Sequence, residues 1–211
     1  VAALQFWTDL VNEGYTARDC LNWRQQDVTH QLVNKKVAMM VMGPWEIRSG
    51  LKDADFEYGI VPIPVPKAGY NPVSPMGGEC FGLSSSIDPS KIDAAWQLIE
   101  YLVAPEHMAD FTTASATVPT RGAALEFVLD REPRLEVFAK QAEYALARTV
   151  AGGGEKYPEV SAITRSAIQR ALSGMMDPQA AFTQAAGEIK ELWPADEYEA
   201  LRNEVREVHS R

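Results

Sequence analysis

Lys36-Val37-Ala38-Met39-Met40-Val41-Met42-Gly43-Pro44-Trp45 carries the strongest fold signal in the chain. From Val37 to Met42 the run is apolar without alternation and of strand length. That pattern predicts a strand over 36–42 buried on both faces, as in the middle of an α/β sheet. Gly43-Pro44 would end the strand and project the Trp45 indole from its end. Crevices beyond the carboxyl ends of strands are the usual ligand sites of open α/β sheets. The indole there either packs on the apolar face of a ligand ring or plugs the core with its large area.

Working outward, Phe56 to Val61 reads as a second strand. Six residues then punctuate the chain: Pro62, Pro64, Pro66, Gly69, Pro72 and Pro75. Prolines remove backbone donors and fix extended backbone, which predicts an ordered loop here rather than sheet interior. Met76-Gly77-Gly78 leads into a third expected strand, Glu79 to Ser84. Upstream, Leu4, Trp7, Leu10 and Val11 share one face of a helix that Gly14 terminates, and Asp27 caps a short helix carrying Val28 and Leu32.

Beyond Ser90 the helical period dominates. Ile92, Ala95, Ile99 and Leu102 share a face, with Trp96 beside it as a core residue, and Pro105 opens a helix holding Met108 and Phe111. Thr120 caps a short helix through Val128, and Pro133 starts one that buries Leu135, Phe138, Ala142 and Leu146. Gly152-Gly153-Gly154 breaks it. Helices from about Pro158 to Ser173 and from Pro178 to Leu192 follow, the second opened by Asp177. The tail places Tyr198, Leu201, Val205 and Val208 on one stripe among charges. Short strands among many helices predict an α/β fold with a helix-rich second half.

Composition narrows the function. The 211 residues include 20 basic against 29 acidic side chains, a net charge of −9, and no window supplies the basic stripe that nucleic acid requires. No apolar run approaches the length of a membrane span. Cys20 and Cys80 form either one disulfide or two buried thiols, and His30, His107 and His209 are scattered rather than clustered, which argues against a metal site. The nucleophile elbow, the phosphate-binding loop, His-Glu-x-x-His and the dinucleotide fingerprint are all missing, and nothing calls for a cofactor. The carboxylates Glu46, Glu79 and Glu159 beside turns keep a glycan-cleaving enzyme as a weaker alternative. Val1 already stands inside a helical pattern, so the expectation is a piece of a larger parent.

Further candidates lie in irregular segments. Gly77-Gly78 would let backbone approach a ligand closely, and Glu79 can accept two hydroxyl hydrogen bonds, although turn geometry and a solvated charge explain the three residues as well. Tyr157 and Glu159 pair an aromatic ring with a carboxylate at a helix start, where Glu159 also simply favours the positive helix end. Arg121 can donate a fork of hydrogen bonds to ligand hydroxyls or join a surface ion pair.

The block Leu32 to Trp45, followed by Phe56-Glu57-Tyr58-Gly59-Ile60-Val61-Pro62-Ile63-Pro64, resembles the bacterial extracellular solute-binding proteins of family 1, the maltose-binding-protein-like sugar receptors of ABC importers. Gly77-Gly78, Ala94 to Leu102 with Pro105-Glu106, Val118-Pro119-Thr120-Arg121, and Ala171 to Gly174 with Pro178 follow in the family's order. Leu32 and Lys35 depart from the Phe and Gly usual at their positions.

The resemblance implies a periplasmic-binding-protein-like (type II) clamshell, of which this chain is a C-terminal fragment with the N-terminal lobe mostly absent. It assigns residues 1–78 to the second lobe, 79–130 to a segment crossing to the first, and 131–211 to a helical return. The implied function is non-enzymatic capture of a carbohydrate in the interlobe cleft and delivery to ABC permease transmembrane subunits. The implied location is periplasmic or extracellular, with lipid anchoring through the missing N-terminus as one route. It makes Trp45 the sugar-stacking residue and places Gly77, Gly78 and Glu79 beside the cleft, with Tyr157 and Glu159 on a cleft-facing loop. The maltodextrin binder carries a tryptophan on that last loop and this chain does not, so maltose itself is not implied. A non-sugar solute such as glycerol 3-phosphate is the rival within the architecture, with Arg121 the nearest candidate for the phosphate.

Overall fold

The computed structural model of the chain describes residues 1–147 and 154–209, with side chains through Asn203. The expected break at Gly152-Gly153 and the side chains of Val205 and Val208 lie outside the described residues. Helices dominate: α1 (Ala2–Asn12), α2 (Gln25–Val33), α3 (Ile92–Leu102), α4 (Pro105–Ser115), α5 (Gly122–Arg131), α6 (Glu136–Ala142), α7 (Tyr157–Leu172), α8 (Pro178–Lys190) and α9 (Ala195–His209). Two short strands, β1 (Ser74–Met76) and β2 (Ala145–Ala147), pair as a small open sheet. The chain is thus a helix-rich α/β protein.

Local chemistry explains the helix limits. Gly14, just beyond α1, takes φ of +79°, a conformation glycine adopts without steric cost. The Asp177 carboxylate accepts from the N–H groups of Gln179 and Ala180 at 2.9 and 3.1 Å, satisfying two donors that α8 leaves open, and Pro178 follows where no donor is needed.

The residues form two compact units, Val1–Arg24 with Ala147–Arg211 and Gln25–Leu146. In the first, Leu4 of α1 is buried against Ala167 and Ala171 of α7 and Ala181 and Ala185 of α8. Alanines at four-residue spacing let α7 and α8 approach closely, and Leu4 fills the space between. In the second, Ile47, Ala109, Ala116, Ala124, Val128 and Leu135 form the core, with Ile60, Met108, Leu129 and Phe138 packed around it.

The three strands expected at 36–42, 56–61 and 79–84 are not formed. Among the described residues, the Lys36 N–H donates to the Gln31 carbonyl at 2.8 Å, closing the turn after α2, and no other N–H of these segments donates to a backbone carbonyl. A strand exists only where a neighbour takes its backbone groups, and these segments have none. Nor is the first buried on both sides, since Met39 and Val41 are 86% and 75% exposed. An unbroken apolar run reports affinity for a covering layer; it does not create one.

The same reason corrects several burial expectations. The α3 face of Ile92, Ala95, Ile99 and Leu102 holds no buried residue, and Trp96 is 54% exposed with its indole N–H donating to Glu100 at 3.1 Å. Trp7 is likewise about half exposed. α6 ends at Ala142, itself exposed, and Leu146 lies exposed in β2. Both cysteines are free, Cys20 half-buried and Cys80 exposed, so neither a disulfide nor two buried thiols describes them.

The proline-rich segment is held as an irregular loop that runs into β1. The Gln141 side chain of α6 accepts from the Ile63 N–H at 3.0 Å and donates to the Pro72 carbonyl, fastening the loop at two points.

Candidate functional site

Trp45 stands in a single 3-10 turn, Pro44–Ile47, immediately after the apolar run. Proline suits the first position of such a turn because its φ is preset and its missing N–H goes unused. Ile47 inserts into the core of the second unit and anchors the turn, whereas Trp45 stays 41% exposed. Gly43 has φ of −85° and ψ of 166°, a conformation open to any residue, so its requirement for glycine comes from space. A Cβ at Gly43 would overlap Cη2 and Cζ3 of the Trp45 indole.

Glu46, next in the turn, is buried. Its Oε2 accepts from the Gly50 N–H and the Ser49 hydroxyl, each at 3.3 Å, tying the turn to the residues that follow. A Cβ at Gly50 would overlap the Thr29 methyl group and press on the Glu46 carboxylate, so the turn and α2 meet there across bare backbone. Thr29 is fully buried, and its hydroxyl donates to the Gln25 carbonyl at 3.3 Å.

Between α2 and the turn lies a hollow of about 380 Å³. Gln25, Gln26, Thr29 and His30 line it from the helix, and Trp45, Glu46, Ser49 and Gly50 from the turn. No lysine or arginine lines it. The side-chain amides of Gln25 and Gln26 and the His30 imidazole hold no hydrogen bond among the described residues. Sequence reading missed these residues. The available signal was Gln26 and His30 at i, i+4 on a short helix just before the Gly-Pro-Trp turn.

A charged cluster fastens the other side of the turn. Arg48, which caps it, places Nη2 3.0 Å from Oε2 of Glu132. Arg134 grips the same carboxylate with a fork, Nε to Oε1 at 2.6 Å and Nη2 to Oε2 at 2.8 Å, and its Nη1 donates to the Tyr58 hydroxyl at 2.8 Å. The Glu132 side chain is only 5% exposed. The Arg134 hydrogen bonds, helped by the charges of Arg134 and Arg48, hold its carboxyl below the usual carboxylate range against the opposing effect of burial. Glu132 in turn raises the Arg134 guanidinium above its ordinary value.

The other sequence candidates stand on other elements than the Trp45 turn. Gly77, Gly78 and Glu79 form an exposed irregular segment after β1, and a Cβ at Gly78 would meet open space. Arg121 is the exposed N-cap residue of α5. No hydrogen bond or ion pair joins Trp45, Glu79 and Arg121 to one another among the described residues. Tyr157 opens α7 in the first unit and borders a hollow of about 290 Å³ along that helix, while Glu159 stands exposed in its first turn.

Among the described residues no group of three or more His, Cys, Asp and Glu side chains could hold a metal ion, and no helix is long and apolar enough to cross a membrane. The partly exposed Trp45 indole thus stands beside a polar hollow that includes one carboxylate, Glu46, within a helix-rich α/β framework. The chain belongs to the bacterial extracellular solute-binding proteins, whose family model matches residues 1–135. The matched span contains the Trp45 turn, Gly77 to Glu79 and Arg121; Tyr157 and Glu159 fall beyond it. Membership gives the chain a solute-binding role in transport, on the extracellular or periplasmic side, in a family that is generally not enzymatic.

Proposed function

We propose that the solute is a carbohydrate, captured in an interlobe cleft and delivered to the permease subunits of an ABC importer. The observation that carries this reading is Trp45, held half-exposed by the buried Ile47 and Glu46 beside side chains that donate and accept hydrogen bonds. A sugar ring has the matching character: apolar C–H faces for the indole and hydroxyls that both donate and accept. A phosphorylated solute such as glycerol 3-phosphate needs fixed cations at the phosphate, and the hollow beside Trp45 has no arginine or lysine.

On this reading Gly77, Gly78, Glu79, Arg121, Tyr157 and Glu159 are secondary contacts, reached from different parts of the receptor when it closes. Residues 1–78 and 131–211 belong to the second lobe and 79–130 to the crossing toward the first. Closure follows from linkage, because a ligand touching both lobes only in the closed state shifts the population toward it.

A calorimetric screen of mono- and oligosaccharides and glycerol 3-phosphate against the full-length receptor tests the reading. Saturable binding of a saccharide, recovered unaltered after hours of incubation, is the expected result. Binding of glycerol 3-phosphate alone, or appearance of cleaved glycan, contradicts it.

A further inference from the structure

We propose that Glu132 is a positioning residue: by holding Arg48 it fixes the direction in which the Trp45 indole projects. The inference rests on the reading of Trp45 as a ligand contact and adds what keeps that contact aimed.

The single 3-10 turn Pro44–Ile47 is four residues long and has too few internal hydrogen bonds to hold an orientation by itself. Its direction comes from what it is fastened to. Two adjacent residues fasten it, and both reach the same stretch of chain. Ile47 packs in the core with Val128 and Leu135, and Arg48 places Nη2 3.0 Å from Oε2 of Glu132, which lies between those two in sequence. Arg48 is also the residue whose backbone N–H closes the turn, donating to the Trp45 carbonyl at 3.1 Å. A displacement of Arg48 is therefore carried to Trp45 through one backbone hydrogen bond.

The apolar and the ionic anchors act differently. Burial of Ile47 is non-directional and sets how deep the turn sits. The carboxylate sets an angle. Glu132 is gripped by the planar fork of Arg134, Nε to Oε1 at 2.6 Å and Nη2 to Oε2 at 2.8 Å, so its oxygens are oriented independently of Arg48. The Tyr58 hydroxyl, accepting from Arg134 Nη1 at 2.8 Å, braces the fork in turn. The chain from Arg48 to Tyr58 thus returns to the group it left, tied at one end to Glu132 and at the other to Arg134. An apolar pair of similar volume would stabilise this junction as well as a buried carboxylate does, and what the ions add is direction. The residues of the turn divide accordingly: Trp45, Glu46, Ser49 and Gly50 border the hollow beside α2, whereas Ile47 and Arg48 do not.

Fluorine NMR of the chain labelled with 5-fluorotryptophan, with the Trp45 signal assigned by its loss in Trp45→Phe, reads the indole without any ligand. Glu132→Gln and Arg48→Met are expected to shift or broaden that signal, while those of Trp7 and Trp193, in the other compact unit, stay in place. Arg48→Met leaves Glu132 paired with Arg134, which keeps the test open where Glu132→Gln unfolds. Arg48→Lys, which retains the charge, should return the signal toward its wild-type position. Calorimetry on the full-length receptor, with maltose, cellobiose, trehalose and sucrose as probes, tests the consequence. For the probe that binds tightest, Arg48→Met should weaken affinity about three- to tenfold in the wild-type background and less than about twofold in Trp45→Ala, because a residue acting through the indole has nothing left to position once the indole is gone. A Trp45 signal unmoved by Arg48→Met, or an affinity loss equal in the two backgrounds, overturns the positioning role and leaves the carbohydrate reading standing. Wild-type affinity in Trp45→Ala overturns both.

Discussion

The benzo end of the Trp45 indole occupies the place where a Cβ on Gly43 would stand. Two residues apart, one side chain has taken the space of the other, and the ordinary dihedrals of Gly43 show that this, and not backbone strain, is what glycine provides. Gly43→Ala should therefore expel the indole while leaving the backbone path intact. Calorimetry should show the loss of saccharide affinity seen for Trp45→Ala, and chemical denaturation a destabilisation of about 1–3 kcal/mol from overpacking. Unchanged affinity in Gly43→Ala would show that the indole's position does not matter to binding.

The Arg48–Glu132–Arg134 cluster gives the second unit an acid sensitivity whose sign follows from the depressed carboxyl of Glu132. A carboxyl held lower in the folded state than in the unfolded one contributes stability that is complete above its unfolded value, 4.5, and is lost as pH falls through the lowered folded value. Glu132→Gln should cost about 2–3 kcal/mol at pH 7, and the gap to the wild type should narrow below pH 4.5. Urea melts across pH 3 to 7 check this, and a gap that widens with acid would contradict it.

Some limits of the helices were readable from sequence, because caps and turns act locally, but Asp27 stands inside the first turn of α2 rather than capping it, and the residue that caps α5 is Arg121 rather than Thr120. Gly14, Pro105, Asp177 and Pro178 each did what their chemistry dictates, wherever the rest of the chain lies. The strands were not readable. Val37 to Met42 is apolar enough to be a central strand, yet a strand also needs neighbours, and no property of those six residues supplies them. Trp96 and Trp7 failed for the same reason: a helical stripe says which residues want cover, and the described elements leave those two half-exposed. Trp45 was legible as a candidate because the Gly-Pro turn is local. Gln26 and His30 were not, since their role depends on how α2 meets that turn.

Asp177 offers a check on the first unit alone. Its carboxylate serves the N–H groups of Gln179 and Ala180. Asp177→Ala should lower stability by about 0.5–2 kcal/mol, and Asp177→Ser or Asp177→Asn should recover most of that loss. Thermal melts of the three variants report the difference. Equal loss in all three would mean that the cap does not set the start of α8.

The central claim is that Trp45 recognises a sugar. Its most direct test is the dissociation constant of the full-length receptor for its best saccharide, measured by calorimetry for the wild type and for Trp45→Ala. Loss of the stacking face should weaken binding at least tenfold, which corresponds to about 1.4 kcal/mol, with native stability retained because the indole is only partly buried. An affinity equal to the wild type in a folded Trp45→Ala variant would contradict the account.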